Sequence, residues 1–140
     1  MVVACLPTHH LIKDREDRKK GIDPALLNGE YFVSFDRGLT IRRETDRFLR
    51  QHDIDVEIVA EFDNIETIKQ AVEEGTGIAV LPEPTLRREV ERRTLLALPL
   101  TASSRNGQFV RPLSIIRRRG RRLNMAVSEF IKLLCQKNIS

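Results

Sequence analysis

Apolar and polar positions follow two periods along the chain. Short apolar or β-rich runs predict strands over residues 2–6, 31–35, 56–62, 78–81, 95–100 and 110–116. Helical spacing of apolar positions predicts helices that begin near residues 40, 65 and 124, with shorter helical segments over 24–27 and 85–92. Strands that alternate with helices are typical of the α/β class, for which we expect a largely parallel sheet with right-handed crossovers.

Local polar residues predict where the helices begin. Thr40 is expected to cap the first long helix and Asn124 the last. Asp63 and Glu66 stand at capping-box spacing before the helix that carries Ile65. These caps place two helix starts directly after two predicted strands.

Composition narrows the class of protein. Hydrophobic residues make up 41% of the 140 positions and charged residues 31%, which excludes a wholly disordered chain. Aromatic residues are only 5%, which argues against stacking platforms for single-stranded nucleic acid or sugars. The net charge of +4 owes much to residues 117–122 (RRRGRR), which we interpret as a solvated turn, with phosphate contact as the alternative.

The cysteines and the lack of long apolar runs indicate the cellular compartment of the protein. Cys5 and Cys135 lie at opposite ends in apolar surroundings, so we expect two buried thiols in a reducing compartment, with a terminal disulfide as the alternative. No run approaches the ~20 apolar residues of a membrane span, and no signal peptide is recognisable. The sequence therefore predicts a cytoplasmic protein without a membrane partner.

Signals for catalysis or metal binding are weak. No Gly-x-Ser-x-Gly, phosphate-binding glycine-rich or His-Glu-x-x-His motif occurs. His9 and His10 are adjacent, but no third ligand stands at metal-binding spacing, so we interpret them as part of a loop. We expect no catalytic residue, no metal and no cofactor.

Two strand-end turns are better candidates for ligand binding. In open α/β sheets, ligands bind beyond the carboxyl ends of strands, where helix N-termini present free backbone N–H groups. The turn over 34–38 offers Ser34, Arg37 and Gly38, which suit a carboxylate or phosphate. The turn after the 56–62 strand offers Phe62, Asp63 and Asn64. The alternative is that each turn simply caps its helix.

The order of motifs resembles the effector-binding domain of LysR-type transcriptional regulators. The matching segments are residues 7–11 (PTHHL), 23–33 (DPALLNGEYFV), 62–82 (FDNIETIKQAVEEGTGIAVLP), 96–100 (LALPL), 111–116 (RPLSII) and 130–134 (FIKLL). The longest of them, 62–82, is the most diagnostic, and together the segments span nearly the whole chain.

The resemblance implies a fold and a domain division. The fold is that of type II periplasmic binding proteins, with two α/β subdomains joined by two crossover strands and the effector between them. We expect residues 1–10 to be a remnant strand of subdomain I and the first crossover, 11–95 to be subdomain II, and 96–140 to be the return crossover, closing strand and last helix of subdomain I. The family's helix-turn-helix, linker helix and the first half of subdomain I are expected to be absent from this chain.

The resemblance also implies a function. In the share of the effector site that belongs to subdomain II, one wall would carry Ser34, Arg37 and Gly38, and the other Phe62, Asp63 and Asn64. The effector would be an anionic or zwitterionic small molecule. The complete protein would be a homo-oligomer that contacts DNA only through its helix-turn-helix. A solute-binding protein for uptake is the main alternative, and an enzyme that depends on Asp36, Asp63 or His10 is a weaker one.

Overall fold

Strands and helices alternate along the residues that the structure, a computed structural model, describes: 1–12, 21–101, 114–116, 120 and 124–136. The strands are β1 (Val2–Cys5), β2 (Tyr31–Phe35), β3 (Glu57–Phe62), β4 (Ala79–Leu81) and β5 (Leu96–Pro99). The α-helices are α1 (Thr40–Gln51), α2 (Ile65–Glu73), α3 (Arg87–Arg92) and α4 (Met125–Gln136), and the 3-10 turns are η1 (Pro24–Leu27) and η2 (Glu83–Leu86). Apart from residues 114–116, where a strand was predicted, the strands and helices of the described ranges lie close to their predicted positions.

The sheet is mixed rather than largely parallel. β2 and β3 pair in parallel, whereas β1 lies between β4 and β5 and is antiparallel to both. A parallel bridge between Phe32 and Ile78 joins the two groups of strands. The prediction of a largely parallel sheet was wrong for β1. Alternation of strands and helices predicts the direction only of strands that a crossover helix connects, and both neighbours of β1 come from far along the chain.

Both faces of the sheet are covered. Along β1, Val3 and Cys5 join one core cluster while Val2 and Ala4 join the other, as the two-residue period of a strand requires. Phe48 of α1 packs in the first cluster. The second cluster receives Ile68 and Val72 from α2 and Leu86 from η2, among others. β1 is therefore a central strand.

A glycine permits the close approach of β2 and the start of β4. A Cβ added at Gly77 would lie against the Tyr31 carbonyl oxygen. The neighbouring Ile78 N–H donates to that same oxygen (2.9 Å), and the Val33 N–H donates to the Ile78 carbonyl (2.8 Å). A side chain at position 77 would therefore push apart the strands that these bonds join.

Two helix N-caps differ from the prediction by one residue, whereas Asn124 caps the last helix as predicted and accepts from the Val127 N–H at 2.8 Å. The N-cap of α1 is Leu39, and Thr40 is the first helical residue. The N-cap of α2 is Asn64, whose Oδ1 accepts from the Thr67 N–H (2.9 Å), so Asp63 is not the cap. Because α2 begins at Ile65, Asn64 occupies the position from which a side chain reaches the first-turn N–H groups.

The two cysteines lie in different surroundings. Cys5 is fully buried in β1, whereas Cys135 is exposed on α4, and the two do not form a disulfide with each other. The expectation of two buried thiols was wrong for Cys135. The apolar spacing of α4 predicts a buried helix face, but most of the large apolar side chains of α4 are exposed, and so is Cys135. Among these, Met125 is 84%, Phe130 60% and Leu133 62% exposed.

Some predicted segments fall partly or wholly outside the described residues. The strand over 110–116 is described only at 114–116, which are exposed and belong to no strand. Of the basic run 117–122 only Gly120 is described. No helix among the described ranges is both long and apolar enough to cross a bilayer.

Candidate functional site

The two predicted turns lie side by side. β2 and β3 are parallel with Phe35 opposite Phe62, so their carboxyl ends meet at one edge of the sheet. The Asp36 N–H donates to the Phe62 carbonyl oxygen at 3.0 Å and ties the first turn to the second strand. Residues separated by more than twenty positions in sequence therefore share one site.

An open cleft of about 470 Å³ lies between these turns. It is lined by Phe35, Leu39, Thr40, Ile41, Asp63, Asn64, Ile65 and Glu66. Two of the six predicted residues, Asp63 and Asn64, belong to this lining.

The other four predicted residues flank the cleft. Ser34 is buried in β2 and Phe62 is half-buried at the end of β3. Arg37 and Gly38 are exposed in the turn between Phe35 and Leu39. Sequence reasoning missed the apolar lining of Leu39, Ile41 and Ile65, because helical periodicity marks such positions as core.

Two helix N-termini converge on the cleft and differ in their capping. At α2, the Asn64 side chain accepts from both the N–H and the hydroxyl of Thr67 (2.9 Å each). At α1, Leu39 offers no side-chain cap to the first turn. Since first-turn N–H groups carry the positive end of the helix dipole, α1 is the more available of the two for an anion.

The charges around the cleft are mixed. Arg37 Nε lies 3.5 Å from Glu61 Oε1, and its side chain is 84% exposed. Glu66 is engaged by Lys69 Nζ at 2.9 Å. The Asp63 carboxylate accepts from Asn64 Nδ2 at 2.9 Å and remains exposed at the opening. The site thus offers a cationic side and an acceptor side.

A buried arginine that sequence reasoning missed lies beneath the cleft. Arg42 Nη1 donates to the Phe35 carbonyl (2.7 Å) and to Glu61 Oε1 (2.6 Å), and its Nε donates to Asp46 Oδ1 (2.8 Å). Burial lowers the pKa of Arg42, but the hydrogen bonds to Glu61 and Asp46 outweigh it, and the net pKa lies above the ordinary value. The one sequence signal was the opposite charges of Arg42 and Asp46 at i,i+4 spacing.

A second buried cation fixes the far side of α2. Lys69 Nζ lies 2.9 Å from Glu89 Oε1 and donates to the Thr85 carbonyl at 3.2 Å. Burial raises the pKa of Glu89, but the hydrogen bond from Lys69 brings it below its ordinary value. This ion pair ties α2 to α3 and η2, so it holds one wall of the cleft in place.

The adjacent histidines lie at the other edge of the sheet. They follow β1, and Glu30, which immediately precedes β2, meets both rings. Because Glu30 is twenty residues from His10, no ligand spacing in the sequence indicated this cluster.

A family model for the LysR substrate-binding domain matches residues 1–138. The chain belongs to this family. Its type II periplasmic-binding-like α/β fold, expected from the resemblance, is confirmed.

Curated relatives of this LysR domain are transcriptional regulators. A probable RuBisCO transcriptional regulator of Gracilaria tenuistipitata var. liui is 35% identical over 130 residues, which are 91% of this chain and 40% of that protein. A probable RuBisCO transcriptional regulator of Synechocystis is 34% identical over 104 residues, 72% of this chain and 29% of that protein. The chain thus spans less than half the length of either relative.

Solved structures show the same fold. The Synechocystis CcmR regulatory domain, in complex with 2-PG, is 26% identical with a TM-score of 0.71 and is matched over 99% of this chain and 63% of that one. The QuiR effector-binding domain, in complex with shikimate, has a TM-score of 0.61 at 16% identity, over 74% of this chain and 46% of that one. This LysR domain therefore matches about two thirds of the first solved domain and less than half of the second.

Proposed function

We propose that this chain senses a small-molecule effector within a LysR-type transcriptional regulator. The observation that carries the proposal is the cleft in which the N-termini of α1 and α2 converge at the carboxyl ends of β2 and β3. Ligands of open α/β sheets bind at such edges. Membership of the LysR substrate-binding family supports the same assignment.

We infer that the effector carries a negative group. The first turn of α1 has no side-chain cap from Leu39, and Arg37 is exposed beside it. A carboxylate or phosphate there accepts from backbone N–H groups and faces the positive end of the dipole. The complex of the related CcmR domain with 2-PG, at 26% identity, supports an effector of this kind.

The other end of the effector is expected to donate hydrogen bonds. Asp63 lines the cleft, is exposed and is not the N-cap of α2, so its carboxylate is accessible to a ligand there. Two carboxylates at one site repel each other. An anion that also bears a hydroxyl or ammonium group can accept from the uncapped turn of α1 and donate to the Asp63 carboxylate. The anionic end of the effector would then lie toward Ser34, Arg37 and Gly38, and its donor end toward Phe62, Asp63 and Asn64.

The curated relatives favour a regulator over a solute-binding protein. Those described above are transcriptional regulators that match most of this chain. The cleft is accordingly assigned a binding role rather than a catalytic one. Effector binding would close the cleft and alter the packing between protomers, so that the signal reaches DNA through other domains of the complete protein.

We also propose a division of the chain into subdomains. Residues 11–95 would form subdomain II, and residues 1–10 and 96–140 would contain the crossovers and part of subdomain I. The pairing of β1 with β5 supports this division. β1 comes before residue 11 and β5 comes after residue 95, and the two strands pair directly, with Val3 opposite Leu98. Two crossover strands that bend together would have this arrangement.

Calorimetric titration of the complete protein tests the effector site. With 2-PG as the probe, Arg37→Ala is expected to weaken binding about tenfold or more, since hydrogen bonds to charged groups contribute about 1.5–3 kcal/mol. Arg47→Ala is the matched control, because Arg47 is an exposed α1 arginine that pairs with Glu44. Equal affinities of the Arg37→Ala and Arg47→Ala variants for 2-PG would overturn the assignment of Arg37. Thr40→Asp adds a negative charge to the uncapped first turn of α1, so a Thr40→Asp variant that binds 2-PG as tightly as the parent would overturn the site.

A further inference from the structure

Two imidazoles and one carboxylate converge at the edge of the sheet away from the cleft. His10 Nε2 lies 2.6 Å from Glu30 Oε1, and His9 Nε2 lies 3.7 Å from Glu30 Oε2. One ligand atom from each of the three residues lies within 4.8 Å of the others. Both histidines therefore present a ring nitrogen to the same carboxylate.

Backbone hydrogen bonds hold two of these three residues, His9 and Glu30, in place. The His9 N–H donates to the Leu6 carbonyl (3.0 Å). The Glu30 N–H donates to the Leu27 carbonyl (3.2 Å), and the Glu30 carbonyl accepts from the Glu57 N–H (2.9 Å). The imidazole rings stack with centroids 4.5 Å apart. The Glu30 side chain is only 12% exposed. Because two stacked rings cannot both point a nitrogen at one ion, the His10 ring, whose side chain is 73% exposed, has to turn before the three residues can bind one ion.

We propose that His9, His10 and Glu30 bind a Zn²⁺ ion. Imidazole nitrogen and carboxylate oxygen are both zinc ligands, and three protein ligands leave the fourth tetrahedral position to water or another ligand. The single carboxylate offsets part of the charge of the ion. With the ion bound, three bonds to the metal replace the two carboxylate–imidazole contacts.

The hydrogen bonding of His9 bears on the affinity of this site. One contact opposes binding: the Leu11 N–H donates to His9 Nδ1 at 3.4 Å, and coordination through Nε2 would place the ring hydrogen on Nδ1. That long hydrogen bond has to open, which lowers the affinity.

The zinc site is separate from the proposed effector site. Because β1 is antiparallel to β4, its carboxyl end, where the histidines follow, lies at the amino ends of the parallel strands. The effector cleft lies at their carboxyl ends. The zinc site therefore does not rest on the proposed effector binding, and each can fail without the other.

Zinc binding to metal-free protein, followed by equilibrium dialysis at neutral pH, tests the proposal. All proteins carry Cys135→Ser, because the exposed thiol could itself bind zinc. We expect one Zn²⁺ per chain in the parent, and His10→Ala and Glu30→Gln each to weaken binding at least about tenfold. His52→Gln and Glu57→Gln are the matched controls, since they remove a histidine and a carboxylate outside the cluster.

The outcomes separate a metal site from a simple ion pair. Unchanged zinc affinity in His10→Ala, an equal loss in His52→Gln, or no bound zinc in the parent would each overturn the proposal. Far-UV circular dichroism checks that each variant is folded. Imidazole ¹H–¹⁵N spectra of the parent give an independent measurement: zinc is expected to shift the His9 and His10 nitrogens, and a shift confined to His52 would also overturn it.

Discussion

Arg42 and Glu61 form an ion pair that connects α1 to β3 under the floor of the cleft, with Nη1 2.6 Å from Oε1. The Arg42 side chain is only 5% exposed and Glu61 31%. The same Nη1 donates to the carbonyl of Phe35, the last residue of β2. One guanidinium thus holds together the helix and both strands from which the two turns emerge.

Replacing this arginine is expected to destabilise the fold. Arg42→Met removes in one step the guanidinium that donates to Glu61, to Asp46 and to the Phe35 carbonyl, so the free energy of unfolding should fall by about 3 kcal/mol. Urea denaturation measures the change. Arg43→Met, one position along α1 and exposed, is expected to stay within about 0.5 kcal/mol. Similar losses in the two variants would show that Arg42 has no special role.

Stability is expected to decline on the acid side. The hydrogen bond from Arg42 holds the pKa of Glu61 below its ordinary 4.5, and the pKa of Glu89 is also lowered. Lowered carboxylate pKa values stabilise the fold above pH 4.5, and this contribution is lost as the pH falls through the folded-state values. His9, whose pKa burial lowers from 6.5, adds a loss that begins at higher pH.

Thermal denaturation between pH 7 and 3 measures this dependence. Glu89→Gln should make the acid decline shallower, because the variant lacks one of the groups that titrate. It should also lower stability at pH 7, since Lys69 then stays buried without that charge. An acid decline of unchanged steepness in this variant would show that Glu89 does not contribute to it.

The contact at Gly77 predicts a stability difference between two glycines. Gly77→Ala places a Cβ against the Tyr31 carbonyl oxygen, so we expect a loss of about 1–3 kcal/mol. At Gly38 an added Cβ meets nothing within 4 Å, and alanine there should be neutral or stabilising by up to about 1 kcal/mol. Chemical denaturation of both variants checks the order, and a Gly77 variant as stable as the Gly38 variant would contradict the close approach.

Asn64 allows helix capping and anion binding to be separated. Asn64→Ala removes the acceptor for the Thr67 N–H and should cost about 1 kcal/mol. Asn64→Asp keeps an acceptor at the cap, so stability should be retained, but its charge should weaken binding of inorganic phosphate to the cleft. Calorimetry on both variants measures this, and phosphate binding unaffected by Asn64→Asp would place the anion elsewhere.

The local sequence determined most of the secondary structure and the location of the two turns. The run over 31–35 matches β2 residue for residue, and the helical stripe of α1 buries Ile41, Thr45, Phe48 and Leu49 as its period requires. Period and turn chemistry are properties of neighbouring residues, so they can be read without the fold. The resemblance to LysR domains could be recognised for the same reason, because it consists of short motifs in a fixed order.

Only the tertiary structure decided which distant residues meet. The antiparallel direction of β1, the pairing of Arg42 with Glu61, and the convergence of Glu30 on His9 and His10 all join residues from separate segments. No local period encodes such contacts, since they follow from how the sheet brings strands together. The sequence by itself thus determined the elements, the family and the candidate turns, whereas packing determined the direction of β1, the buried ion pairs and the histidine–carboxylate cluster.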